Sequence, residues 1–175
     1  MYKVFNIAGS ALLLAGCATQ PSSIIPQKLN PAANESMTRI VPAKGVQIYE
    51  CRASKGQPGA YEWAFVAPEA ELFDTTGKPI GKHYAGPHWE AADGSKVVAK
   101  LIERADAPKA GDIPWLLLGA KSVGPQGAFS RVTSIQRVNT AGGTAPPQPC
   151  TRESVGQQAR VDYAADYRFF TSINR

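Results

Sequence analysis

Residues 80–102 read IGKHYAGPHWEAADGSKVVAKLI. Two short runs, 89–91 and 96–102, lie on either side of Asp93-Gly94. An Asp-Gly pair accepts the left-handed backbone of a tight turn, so this arrangement is a strong hairpin signal. Working back along the chain, residues 70–73 and 79–84 flank Asp74-Thr75-Thr76-Gly77, a second turn. Before that, residues 61–66 alternate and place Tyr61, Trp63 and Phe65 on one face. Earlier still, Val46, Ile48 and Glu50 alternate against Gln47, Tyr49 and Cys51, with a loop at Gly56, Pro58 and Gly59 in between. Working forward, residues 114–118, 129–138 and 161–173 form further runs, the first two parted by Gly124-Pro125-Gln126-Gly127. Many short runs divided by Gly/Pro turns predict an all-β domain, an antiparallel β-sandwich or barrel. Two places admit a helical turn instead, around Trp115-Leu116-Leu117-Leu118 and at Ala164-Ala165-Asp166.

The N-terminus reads as an address. Residues 1–17 are MYKVFNIAGSALLLAGC, with Lys3 near the start and an apolar run over residues 7–15. That run is too short to span a bilayer, which needs about 20 apolar residues, and suits a secretory signal. Leu14-Ala15-Gly16-Cys17 looks like the lipobox of bacterial lipoproteins: cleavage falls before Cys17, whose thiol and new amino group take acyl chains of the palmitate type. Ala18 in place of Asp implies transfer to the outer membrane, facing the periplasm. The expected organisation is a signal peptide over 1–16, a lipidated N-terminus and Pro/Ser-rich tether over 17–44, and one β-rich domain over 45–175. Short apolar pieces of the tether, Ile24-Ile25 and Ile40-Val41, are positioned to dock on that domain.

Of the three cysteines, the anchor uses Cys17, leaving Cys51 and Cys150. An even pair in an oxidising compartment reads as a disulfide. In the chain-entropy model a closed loop of this length is worth about 4–5 kcal/mol. The net charge of +5 is mild and its cations are scattered, which with export argues against a nucleic-acid partner. The partners expected are the membrane, through the anchor, and a small molecule or another envelope component.

The strings GVQIYECRA (45–53), IGKHYAGPHWEAADGSKVV (80–98), IPWLLL (113–118), IQRVNTAGG (135–143) and YAADYRFF (163–170) carry a resemblance. Together they resemble the family of unknown function numbered 3455, found in bacteria and fungi and commonly exported. The resemblance runs from about Leu29 to the C-terminus. It implies one complete domain and supplies no activity. His83, Gly86, Pro87, Trp89, Asp93 and Gly94 fall in its most characteristic segment, whereas His88 is not part of that pattern.

Candidate chemistry gathers in the same segment. His83 and His88 are the only histidines, and Gly86-Pro87 between them breaks the strand so that they could converge. Glu90 or Asp93 beside His83 would suit a hydrolase, although acids next to glycine in a turn are more often turn formers. No metal site is expected, because two histidines fall short of the four ligands usual for zinc. No cofactor is expected either, since Gly142-Gly143 lacks the lysine and glycine order of a phosphate loop. Ser95 and Ser130 lie outside any G-x-S-x-G elbow. The candidate ligand-binding set is His83, Tyr84, Trp89, Glu90 and Asp93, supported by aromatics at a barrel mouth. Binding is favoured over catalysis. A hydrolase centred on His83 and a purely structural envelope component are the alternatives.

Overall fold

The computed structural model describes residues 24–173. Eight antiparallel strands close one barrel in chain order: β1 Glu35–Ala53, β2 Tyr61–Phe73, β3 Pro79–Tyr84, β4 His88–Ala91, β5 Lys96–Ala105, β6 Trp115–Ser122, β7 Ser134–Gly142 and β8 Gln158–Ser172. The last strand pairs back onto the first, from Glu35↔Ser172 to Glu50↔Gln158. Of the two all-β architectures the sequence allows, the molecule is the barrel. The described residues contain no α-helix; Trp115-Leu116-Leu117-Leu118 and Ala164-Ala165-Asp166 are strand. The leucine run is continuous because β6 is covered on both faces, a pattern that periodicity alone cannot separate from a helix.

The fold begins earlier than residue 45. β1 starts at Glu35, and a 3-10 turn at Gln27–Leu29 is already docked. Leu29 is fully buried in a cluster with Ala105, Trp115, Leu117 and Val138 on the outer face of the wall, and Ile25 packs against it. Gln136 Nε2 donates to the Leu29 carbonyl at 2.7 Å. Of the two apolar pieces, Val41 enters the barrel core, while Ile24 stays exposed. The prolines disguised this segment. Pro42 lies just before the β1–β2 pairing begins, where β1 pairs with β8 alone, an edge position that tolerates a missing N–H. The expected signal peptide over 1–16 and the expected lipidation site Cys17 lie outside the described residues.

Alternation sends Val41, Ala43, Gln47 and Tyr49 of β1 inward. Gly45 falls between them at a sharp corner: a Cβ there would sit 2.1 Å from the Glu69 carbonyl oxygen. Both turns legible in the sequence are present. Asp74 Oδ1 accepts from the Thr76 and Lys78 amides, and Gly77 has φ of 86°. Asp93 Oδ1 accepts from the Ser95 amide and hydroxyl, and Gly94 has φ of 82°.

The two ends of the barrel differ. At the end carrying the β2–β3, β4–β5 and β6–β7 connections, the loop before β7 drives Phe129 into the core against Phe169, ring centroids 4.9 Å apart. The Asp93 turn holds this plug: Asp93 Oδ2 accepts from Ala128 N at 2.8 Å, and Ser95 Oγ accepts from Phe129 N at 3.0 Å. At the opposite end, the β7–β8 loop is fastened to β1 and β2. The Cys51–Cys150 disulfide joins them, with Cα atoms 5.4 Å apart. Tyr49 also donates to the Gly143 carbonyl at 2.7 Å, and Trp63 Nε1 to the Gln148 carbonyl at 2.9 Å.

Candidate functional site

The short β3–β4 hairpin opens the wall. β2 pairs with β3 only from Ala70 to Phe73, and β5 pairs with β4 only from Lys96 to Val98. Residues 61–69 of β2 and 100–105 of β5 therefore have a flank each without a strand partner, and Pro68 sits on one of them. Beneath this gap, at the end away from the Phe129 plug, lies a cavity of about 220 Å³. Phe65 and Val66, each about half exposed, and the Gly86-Pro87 break stand at its mouth. Gln47, His83, Trp89, Leu116, Leu118, Arg137 and Tyr167 complete its wall.

The ring cluster at its floor is tightly packed. His83 stacks on Trp89 at 4.0 Å between centroids, and Tyr167 meets both edge-on at 5.2 and 5.3 Å. His83 Nδ1 lies 2.8 Å from the His88 carbonyl, so that nitrogen carries the proton and donates, and Nε2 is left as an acceptor. Burial, reinforced by the Arg137 charge, pushes the His83 imidazole down to about 3, so it is neutral at physiological pH. The Tyr49, Tyr163 and Tyr167 phenols are pushed up by burial and stay protonated. Arg137 Nε and Nη2 both donate to the Pro114 carbonyl, at 3.0 and 2.8 Å. Among the described residues no carboxylate lies within ion-pair distance of Arg137. Two further donors of the wall, Gln47 Nε2 and Trp89 Nε1, are buried without a hydrogen-bond partner, although Gln47 faces the Tyr163 hydroxyl.

Residues 31–171 match the sequence profile of DUF3455, described as a protein of unknown function. The chain belongs to the DUF3455 family. Comparison with curated proteins gave no match. In this DUF3455 chain the characteristic segment is divided by the barrel wall. His83 and Trp89 face inward, whereas Tyr84 and Glu90 face outward, where Tyr84 donates to Glu90 Oε2 at 2.5 Å. Lys82 and Lys96 pair with the same carboxylate at 3.5 and 3.6 Å, and these contacts hold Glu90 below the usual carboxylate range, the Tyr84 hydrogen bond first among them. Asp93 is at the far end, in the plug turn, its carboxyl also held low, chiefly by the Ser95 hydroxyl. Neither acid reaches His83, so the geometry assembles no His–carboxylate pair. An imidazole this weakly basic is also far from the pKa that general base catalysis needs. His88 stays on the rim, stacked with Tyr84 at 5.2 Å and bonded to the Ala85 carbonyl. Among the described residues no three His, Cys, Asp or Glu side chains gather as a metal would require. A broad depression of about 830 Å³ on the outer wall holds Glu90, Lys82, Glu69, Glu71 and Arg160; Glu90 is paired with Lys82, and Glu69 with Arg160 at 3.0 Å.

Sequence reasoning passed over Gln47, Arg137 and the inward role of Tyr167. The signal was available: Gln47 shares the face of Tyr49 and Cys51, and Arg137 shares that of Ile135. A long polar side chain in the inward register of a strand is the oddity that marks an interior site.

Proposed function

We propose that this protein is a lipid-anchored envelope protein whose barrel takes up a small, largely apolar molecule. The observation that carries this reading is the cavity itself, an apolar recess with a side opening between two free strand flanks and unsatisfied donors on its wall. An eight-stranded barrel is at the size where the interior is either filled by side chains or holds one small ligand. Here the plugged end is filled and the other end is not. Leu14-Ala15-Gly16-Cys17 supports the anchor, with Ala18 supporting the outer membrane. An apolar cavity of roughly 150 Å³ is enough to bind benzene. One ring with a small substituent therefore suits this one.

Titration with benzyl alcohol, followed by NMR of the Trp89 indole N–H and the Leu116 and Leu118 methyls, tests the cavity. Saturable shifts at these groups are expected, and Leu116→Trp, which fills the recess, should abolish them without unfolding the barrel. Absence of any saturable response in the folded wild type would remove the reading.

A further inference from the structure

We propose that the ligand is a small organic acid, an anion whose carboxylate meets Arg137 while its flat apolar body lies in the recess. The inference rests on the reading of the cavity as a binding site and names its ligand class. Charge balance is the argument. Arg137 is half-buried and brings a permanent positive charge to the inner wall, and the groups around it are neutral: the His83 imidazole and the Tyr49, Tyr163 and Tyr167 phenols. Its protein contacts are the Pro114 carbonyl and the Tyr167 hydroxyl, both neutral, so neither compensates its charge. A buried charge without a counter-ion is costly, and proteins ordinarily pair or hydrogen-bond it fully.

The geometry leaves a place for the anion. Pro114 takes one proton each from Nε and Nη2, and with only that carbonyl and the Tyr167 hydroxyl as partners the five-donor guanidinium keeps donors for a carboxylate, the group that its planar fork matches best. On the same cavity wall Trp89 Nε1 is a donor with no acceptor in the protein, and Gln47 Nε2 is a donor with none beyond the Tyr163 hydroxyl it faces. These three donors, one of them charged, outweigh the acceptor His83 Nε2 and select an acceptor-rich head over an amine. Phe65, Pro68, Pro87, Trp89, Leu116 and Leu118 supply the apolar walls for a ring.

The test is a charge series on the folded wild-type protein: benzoate, neutral benzyl alcohol and cationic benzylammonium, by calorimetry at low salt. Benzoate should bind at least tenfold tighter than benzyl alcohol, with benzylammonium weakest. Arg137→Gln should bring benzoate and benzyl alcohol to equal affinity, and Arg137→Lys should retain part of the preference. If benzoate and benzyl alcohol bind equally to the wild type, or benzylammonium binds best, the acid assignment is wrong while the cavity reading stands. If none of the three binds, both fail. The series needs no variant, so it decides the matter even if Arg137→Gln does not fold.

Discussion

The neutrality of His83 has a direct consequence for stability. In the unfolded chain an imidazole takes a proton near pH 6.5, whereas in the barrel burial against Trp89 and Tyr167 lowers that point to about 3. Between those values the unfolded state holds a proton that the folded state refuses, so stability is complete above pH 6.5 and declines as the pH falls towards 3. From pH 7.5 to 5.0 the contribution of this one group is a loss of about 2 kcal/mol. The control is His83→Asn, whose amide can still donate to the His88 carbonyl but does not titrate. Urea denaturation of both proteins at the two pH values isolates the effect, because His88 and the carboxylates are common to both. The variant starts less stable, having lost the ring stacked on Trp89, so the comparison is of slopes rather than of absolute values. Wild type should lose about 2 kcal/mol more than His83→Asn over this interval. Parallel losses would show that His83 titrates normally, and the buried-neutral floor of the cavity would be wrong.

Three further outcomes are expected. Replacing both Cys51 and Cys150 by alanine should cost about 2–5 kcal/mol in urea denaturation, and non-reducing peptide mapping of the wild type should recover the two cysteines linked. Asp93→Ala should lower the melting temperature and speed hydrogen exchange at the Ala128 and Phe129 amides, with the Cys51–Cys150 end unaffected; unchanged exchange there would mean that the turn does not hold the plug. Cys17→Ala should abolish acylation and release the protein from the membrane fraction or leave the precursor uncleaved, and mass spectrometry of the wild-type N-terminus reads the modification directly.

The strands and both hairpin turns were legible because each rests on local chemistry: alternation for the strands, and Asp with Gly for the turns at 74–77 and 93–94. The disulfide was legible because two cysteines remain once Cys17 is assigned to the expected anchor. Choosing a barrel over a sandwich was not, since that depends on β8 returning to β1, a pairing between distant segments with no local signature. The start of the fold was hidden for a different reason. Pro26, Pro31 and Pro42 suggest an extended tether, yet an edge position accommodates proline without loss, so composition misplaces the boundary. Within the segment at 80–98 the residue types drew attention to the right stretch. Strand alternation then divides it, with His83 and Trp89 inside and Tyr84 and Glu90 outside. The decisive charge, Arg137, comes from a strand more than forty residues away, and only closure of the barrel brings it to His83.

Closure of the ring also bears on how the chain reaches this state. The seam between β1 and β8 joins opposite ends of the domain, and such pairings are slow to form because the entropy of a long loop is lost before any contact compensates it. Cys51 lies in β1 one residue beyond the last pair of that seam, Glu50↔Gln158, and Cys150 stands just ahead of β8. Once these two are bridged, the search that brings the final strand home spans a short connection instead of most of the domain. In kinetic terms the covalent link acts as a guide for the last step of assembly, and its removal should slow refolding more than it hastens unfolding.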